Sequence, residues 1–189
     1  MYIDLIVTDK KEWASSSKYL QKCLPGAKSI DMSGNSSIKH LFYLIKLYSL
    51  SLAPIRNLVI NDHASIGSGV KKNASSHEFG DVSLYLHDFN RNIKGTRFDK
   101  KGRLYLLGCE VSRCKKTCFS IAKAIQVPVV ASPHETYGDS YNKKPTLYTA
   151  GSWREFGTDG RERFYQFKHI IYPKFNGKKT RCEEIRFAP

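Results

Sequence analysis

Five short apolar runs, separated by turns and by segments of helical period, constrain this chain more than any other feature. Tyr2–Val7 (YIDLIV), Ala27–Met32 (AKSIDM), Arg56–Asp62 (RNLVIND), Arg103–Leu107 (RLYLL) and Val127–Ala131 (VPVVA) have the length of strands. Their centres are close to continuous in apolar side chains, as in strands buried on both faces. Between them, Ser15–Cys23, Ser37–Leu50 and Lys115–Ile125 have helical spacing, with Ile38, Leu41, Phe42, Ile45 and Leu52 on one helical face. Pro25-Gly26 and Pro54 stop the first two helices. Strand and helix in alternation predict βαβ units, hence an α/β fold with a mainly parallel sheet and helices on both faces. A chain of 189 residues supports one core of this kind, so residues 1–189 are expected to form a single domain.

The remaining segments read less clearly. Residues 63–80 are rich in Gly, Ser, Ala and Asn and predict a loop. Val82–Asn92 is compatible with a short helix, Lys94–Gly102 reads as a polar turn region, and Pro133–Lys144 reads as a polar loop. Thr146–Tyr148 and Phe164–His169 predict late strands, and Lys174–Pro189 reads as a basic tail within a less regular segment that begins at about 141. No apolar run reaches membrane-spanning length, and Asp4 sits where a signal peptide carries positive charge. The expectation is a cytoplasmic protein, or one delivered into a target cell by a dedicated secretion system.

In open parallel sheets, ligands bind beyond the carboxyl ends of the strands. His63 follows the third apolar run and Cys109 follows the fourth. If those strands are neighbours, their tips stand about 5 Å apart, and an imidazole can take the proton of the thiol and make it a nucleophile. Gly108 precedes the thiol, and Gly67 opens the loop after His63, where small residues let backbone approach a substrate. Ser65, Ser132 and His134 fall at the same sheet edge and are candidates to line the cleft.

Cysteine usage fits a reducing compartment: there are five, an odd number for a disulfide framework. Cys109, Cys114 and Cys118 are spaced C-x4-C-x3-C without the second pair of ligands that a structural zinc site uses, so no metal is expected. Net charge is +14, which suits an anionic partner such as a polyphosphate, a lipid headgroup or nucleic acid. The basic residues are dispersed, and no segment reads as a recognition helix, zinc finger or RNA-binding aromatic motif. Nucleic acid is therefore the least expected of the three.

NLVINDHASIG (57–67) and RLYLLGCEVS (103–112) resemble the two signature blocks of caspase-like (clan CD) cysteine peptidases, a strand ending in His-Gly and the next strand ending in Cys. The second block is especially similar to the LLGC-type block of the autoprocessing cysteine protease domains of large bacterial toxins. Residues 2–156 also resemble an uncharacterised bacterial domain of repeat-bearing surface proteins. There the matching positions are Tyr2–Val7, His63 to Gly67, Gly108-Cys109, Val129-Val130-Ala131-Ser132 and Trp153. The resemblance implies a caspase-like three-layer fold, Cys109 as nucleophile, His63 as general acid–base, a protein substrate, and an inositol hexakisphosphate activator with no required cofactor. It departs at Ala64, which stands where the family has a glycine whose N–H helps to form the oxyanion hole. That departure keeps a second expectation open: a catalytically silent module of the same fold that binds an anionic ligand.

Overall fold

A computed structural model of the chain describes residues 1–11, 14–33, 37–66, 75–79, 82–141, 144–175 and 178–187. For 63–66, 75–79, 82–88, 90, 139–141, 144–145, 169–175 and 178–181 it describes the backbone path alone. The elements run β1 (Ile3–Thr8), α1 (Ala14–Cys23), β2 (Lys28–Asp31), α2 (Ile38–Ser51), β3 (Ile55–Asn61), β4 (His63–Ile66), β5 (Ser75–Phe79), β6 (Val82–Tyr85) and α3 (Leu86–Ile93). They continue with β7 (Phe98–Leu107), a 3-10 turn (Val111–Arg113), α4 (Lys115–Ile125), β8 (Val129–Ala131), β9 (Thr136–Tyr141), β10 (Lys144–Thr149), β11 (Arg154–Phe156), β12 (Glu162–Phe164), β13 (Phe167–Phe175) and β14 (Lys178–Ile185).

The five apolar runs become the five parallel strands β2, β1, β3, β7 and β8 of a seven-stranded sheet, in the order β12-β11-β8-β7-β3-β1-β2. The antiparallel hairpin β11–β12 closes the β8 side. Side chains in register form rows across the sheet, and alternate rows face opposite ways. Leu5, Leu58, Leu104 and Val129 form one row, and Val7, Ile60, Leu106 and Ala131 another; both pack against α2, α3 and α4. The intervening row, Ile6, Val59, Tyr105 and Val130, faces α1 and the second sheet. One face thus packs against α2, α3 and α4, and the other against α1 and the second sheet. Burying one such Leu or Ile is worth roughly 1.5–3 kcal/mol, so these rows supply much of the driving force for the layering.

Local signals fix the helix ends. Ser37 caps α2 by accepting the His40 N–H at 3.2 Å. Gly26, at φ 86°, turns the chain after α1. Gln126, at φ 60°, is the left-handed residue that ends α4.

The structure corrects the polar segments. Part of the expected loop 63–80 is strand: β4 and β5 pair antiparallel, and β6 completes a three-stranded sheet. The stretch read as a polar loop at 133–144 carries β9, which pairs with β10, and the basic tail carries β14, which pairs with β13 and β10. These four strands, in the order β13-β14-β10-β9, form a second sheet. In the late region, the expected strand at 164–169 divides between β12 and β13. None of β5, β9 and β14 carries a continuous apolar run, and the ladders place β5 and β14 inside their sheets and β9 at an edge. Trp153 is fully buried where the second sheet meets the first, and its indole N–H donates to the Glu183 carbonyl at 2.9 Å. Among the described residues no helix is long and apolar enough to cross a membrane.

Candidate functional site

The parallel strands β1, β3, β7 and β8 all end at one edge of the sheet. The β3–β7 register runs to Asn61↔Leu107, and β1 joins it through Thr8↔Asn61. His63 and Cys109 each lie two residues beyond that last pair, at matching positions past the tips of neighbouring strands. His63 then opens β4, which leaves the parallel sheet and stays beside the Val111–Arg113 turn that follows Cys109. Ala64, Ser65 and Ile66 continue β4 in register with His77, Ser76 and Ser75 of β5. Ala64 therefore sits in extended backbone, which an alanine adopts without strain. The side chains of residues 63–66 and the whole of Gly67 lie outside the described residues.

A buried polar platform holds this edge. Asn61 donates its amide to Ser16 Oγ at 2.9 Å and to Thr8 Oγ1 at 3.3 Å, which ties β3 to α1 and β1. Asp62, also buried, accepts the Asp9 N–H at 3.2 Å. Satisfied buried groups of this kind fix one arrangement of a loop.

Cys109 is half-buried and reduced. Its thiol donates to the Thr136 carbonyl at 3.7 Å, and Sγ lies 4.0 Å from Thr136 Oγ1. Gly108 is buried, and the left-handed residue of the turn is Glu110, at φ 57°, rather than the glycine. The turn is then fastened to the loop after β8, where Glu110 N–H donates to the His134 carbonyl and Ser112 N–H to the Ser132 carbonyl, both at 3.0 Å. Arg113 bridges the same two loops, meeting Glu110 Oε1 at 2.7 Å and donating from Nε to the Pro133 carbonyl at 3.2 Å.

Ser132 is fully buried. Its Oγ accepts the His134 N–H at 3.1 Å and lies 2.7 Å from Thr149 Oγ1, which in turn donates to the Glu135 carbonyl at 2.9 Å. Since the Thr149 proton is committed to Glu135, Ser132 donates to Thr149, and the three bonds run in one direction. Ser132 thus supports the wall behind the site from within. His134 is exposed, and its ring lies over Gly151, where an added Cβ would come within 1.8 Å of Cδ2.

Sequence reasoning missed Thr136 and Tyr137. Tyr137 stacks on Tyr148 with ring centroids 5.4 Å apart, and its hydroxyl donates to the Glu135 carboxylate. Burial, then the Glu135 carboxylate, push that hydroxyl well above its ordinary range, and Cys109 adds to the effect. The only signal for these residues was their position just after the fifth apolar run, at the carboxyl edge.

The other thiols of the cluster are packing groups. Burial pushes Cys118 up to about 12, and its Sγ faces the Val111 carbonyl at 3.9 Å. Cys114 is buried at the start of α4. Among the described residues no three His, Cys, Asp or Glu side chains gather as metal ligands do. Comparison of the chain with protein-family models, curated proteins and solved structures finds no match in any of the three.

Proposed function

We propose that this chain is a cysteine peptidase of caspase-like architecture, with Cys109 as nucleophile and His63 as general acid–base. The observation that carries the reading is the β3–β7 register, which sets both residues two positions beyond a shared last pair. The mainly parallel sheet with helices on both faces supports the architecture.

In the resting arrangement the Cys109 thiol points its proton at the Thr136 carbonyl. Catalysis requires that hydrogen bond to break as His63 takes the proton. Sulfur then attacks the peptide carbonyl carbon, a C–S bond forms, and the oxyanion is held by backbone N–H groups of the Ala64 and Gly67 segment and of the Gly108–Cys109 turn. His63 returns its proton to the leaving amine as the C–N bond breaks. Water, deprotonated by His63, attacks the thioester, releasing the new carboxylate and restoring the thiol. Extended backbone at Ala64 accommodates an alanine without strain at the position where the family has glycine. The hydrogen bonds from Glu110 and Ser112 to the β8 loop hold the turn rigid, so that the thiol is presented in one place.

The experiment is digestion of a peptide library by the wild type and by Cys109→Ala and His63→Ala. Each variant is expected to lose about a thousandfold or more in kcat/KM while keeping its circular dichroism spectrum. Proteolysis that persists in either folded variant contradicts the reading.

A further inference from the structure

The far edge of the same sheet carries a different feature, and it rests on none of the chemistry above. Where β3 and β7 begin, the register jumps: Ile55 pairs with Phe98, whereas Asn57 pairs with Arg103. Asp99, Lys100, Lys101 and Gly102 are therefore set against Arg56 alone, an irregularity of four residues in the ladder. This bulged segment is built rather than slack. The Lys101 N–H donates to Asp99 Oδ1 at 2.9 Å, and Asp99 Oδ1 meets Arg56 Nε at 3.2 Å. Gly102 has no room for a side chain, since a Cβ would lie 2.8 Å from the Asp99 carbonyl oxygen, 3.0 Å from that of Ile55 and 3.1 Å from that of Arg56.

The bulge overhangs a cavity of about 500 Å³ lined by Arg56, Lys100, Lys101, Gly102, Arg103 and Gln166. Arg103 is anchored through Nε to Glu155 Oε2 at 2.8 Å. Lys100 and Lys101 are exposed and form no ion pair among the described residues. Four cations thus stand against two carboxylates, Asp99 and Glu155, around one concave surface. A surplus of two positive charges, two fixed guanidinium groups and two mobile ammonium groups suit a phosphate-bearing group. The volume suits a small ligand rather than a flat contact.

We propose that this amino-edge cavity is a binding site for a phosphate-bearing ligand of about two to three negative charges, either a free diphosphate or the headgroup of an anionic lipid. The exposed leucines Leu50 and Leu52, at the end of α2 just before β3, would flank a headgroup source.

The test uses the whole chain at about 0.15 M salt, where long-range attraction by net charge is screened. Pyrophosphate binding is measured by calorimetry, and cosedimentation is measured with phosphatidylcholine vesicles containing phosphatidic acid. The double variant K100Q/K101Q is compared with K116Q/K123Q, which removes the same charge from exposed positions of α4. The proposal expects K100Q/K101Q to weaken binding at least tenfold and K116Q/K123Q to change it less than twofold. Pyrophosphate binding with that pattern identifies a free ligand. Vesicle binding with that pattern, lost also in L50S/L52S, identifies a headgroup. An equal loss in both double variants, or no binding of either probe by the wild type, overturns the proposal.

Discussion

The two edges of the parallel sheet are made by the same strands, and both fasten polar groups internally, but they differ in what stands open beside those bonds. At the carboxyl edge, internal hydrogen bonds consume polar groups: Asn61 to Ser16, Asp62 to Asp9, Ser132 to Thr149, and the Cys109 turn to the β8 loop. Around Cys109 the described acids Glu110 and Glu135 stand close, with Arg113 in an ion pair. At the amino edge, cations gather around open cavities and Lys100 and Lys101 face outward. The difference teaches that, among the described residues, the basic cavity and the thiol stand at opposite edges of one sheet.

The sharpest way to break this comparison is to cross the two sites. His63→Gln is expected to lower peptidase kcat/KM by about a thousandfold or more while pyrophosphate affinity stays within twofold, as calorimetry would show. A parallel loss of both would mean that the edges are not separate. Next in size, Gly102→Ala forces a Cβ against three backbone carbonyls. It should cost about 2 kcal/mol in urea unfolding and weaken pyrophosphate binding, with little change at Cys109. Unaltered stability would show that the bulge is slack.

Ser132→Ala removes the middle of the one-way hydrogen-bond chain at the carboxyl edge and leaves the His134 N–H without its acceptor. The expected loss is about 1–2 kcal/mol in urea unfolding, with a greater rate of Cys109 alkylation as the β8 loop loosens. The smallest effect concerns the packing thiol. Because burial raises Cys118 to about 12, the folded chain keeps a proton that the unfolded chain releases above the ordinary thiol value. Burial raises Tyr19 in the same direction. Stability should therefore fall as pH rises from about 9 towards 12, and Cys118→Ala should make the decline in Tm shallower. An unchanged slope would remove Cys118 from the account.

The parallel sheet was legible because its strands announce themselves twice, by apolar runs and by the helices between them. NLVI and LYLL read as buried strands, and their order placed His63 and Cys109 at one edge. What was not legible shares one physical cause. The strands SSHEF, TYGDSY and KKTRCEEI carry no continuous apolar run and no strict apolar alternation, so their sequences read like loops although Cys182 and Ile185 are buried. Thr136 next to Cys109, and Lys100 over the amino-edge cavity, depend on register between segments distant in sequence. Asp62 sits beside the predicted His63 and was passed over, since a carboxylate at a strand end reads as solvated until its partner Asp9 N–H is known. Ser132 shows the converse: a residue chosen for its place at the edge whose hydroxyl is wholly committed within the wall.

The most direct measurement is the pH dependence of alkylation at each cysteine, read by peptide mass mapping, in the wild type and in His63→Ala. The account predicts that Cys109 reacts faster near neutral pH than the exposed Cys23, that His63→Ala abolishes this advantage, and that buried Cys118 stays unlabelled in both. Cys109 reacting no faster than Cys23, with or without His63, would contradict the dyad.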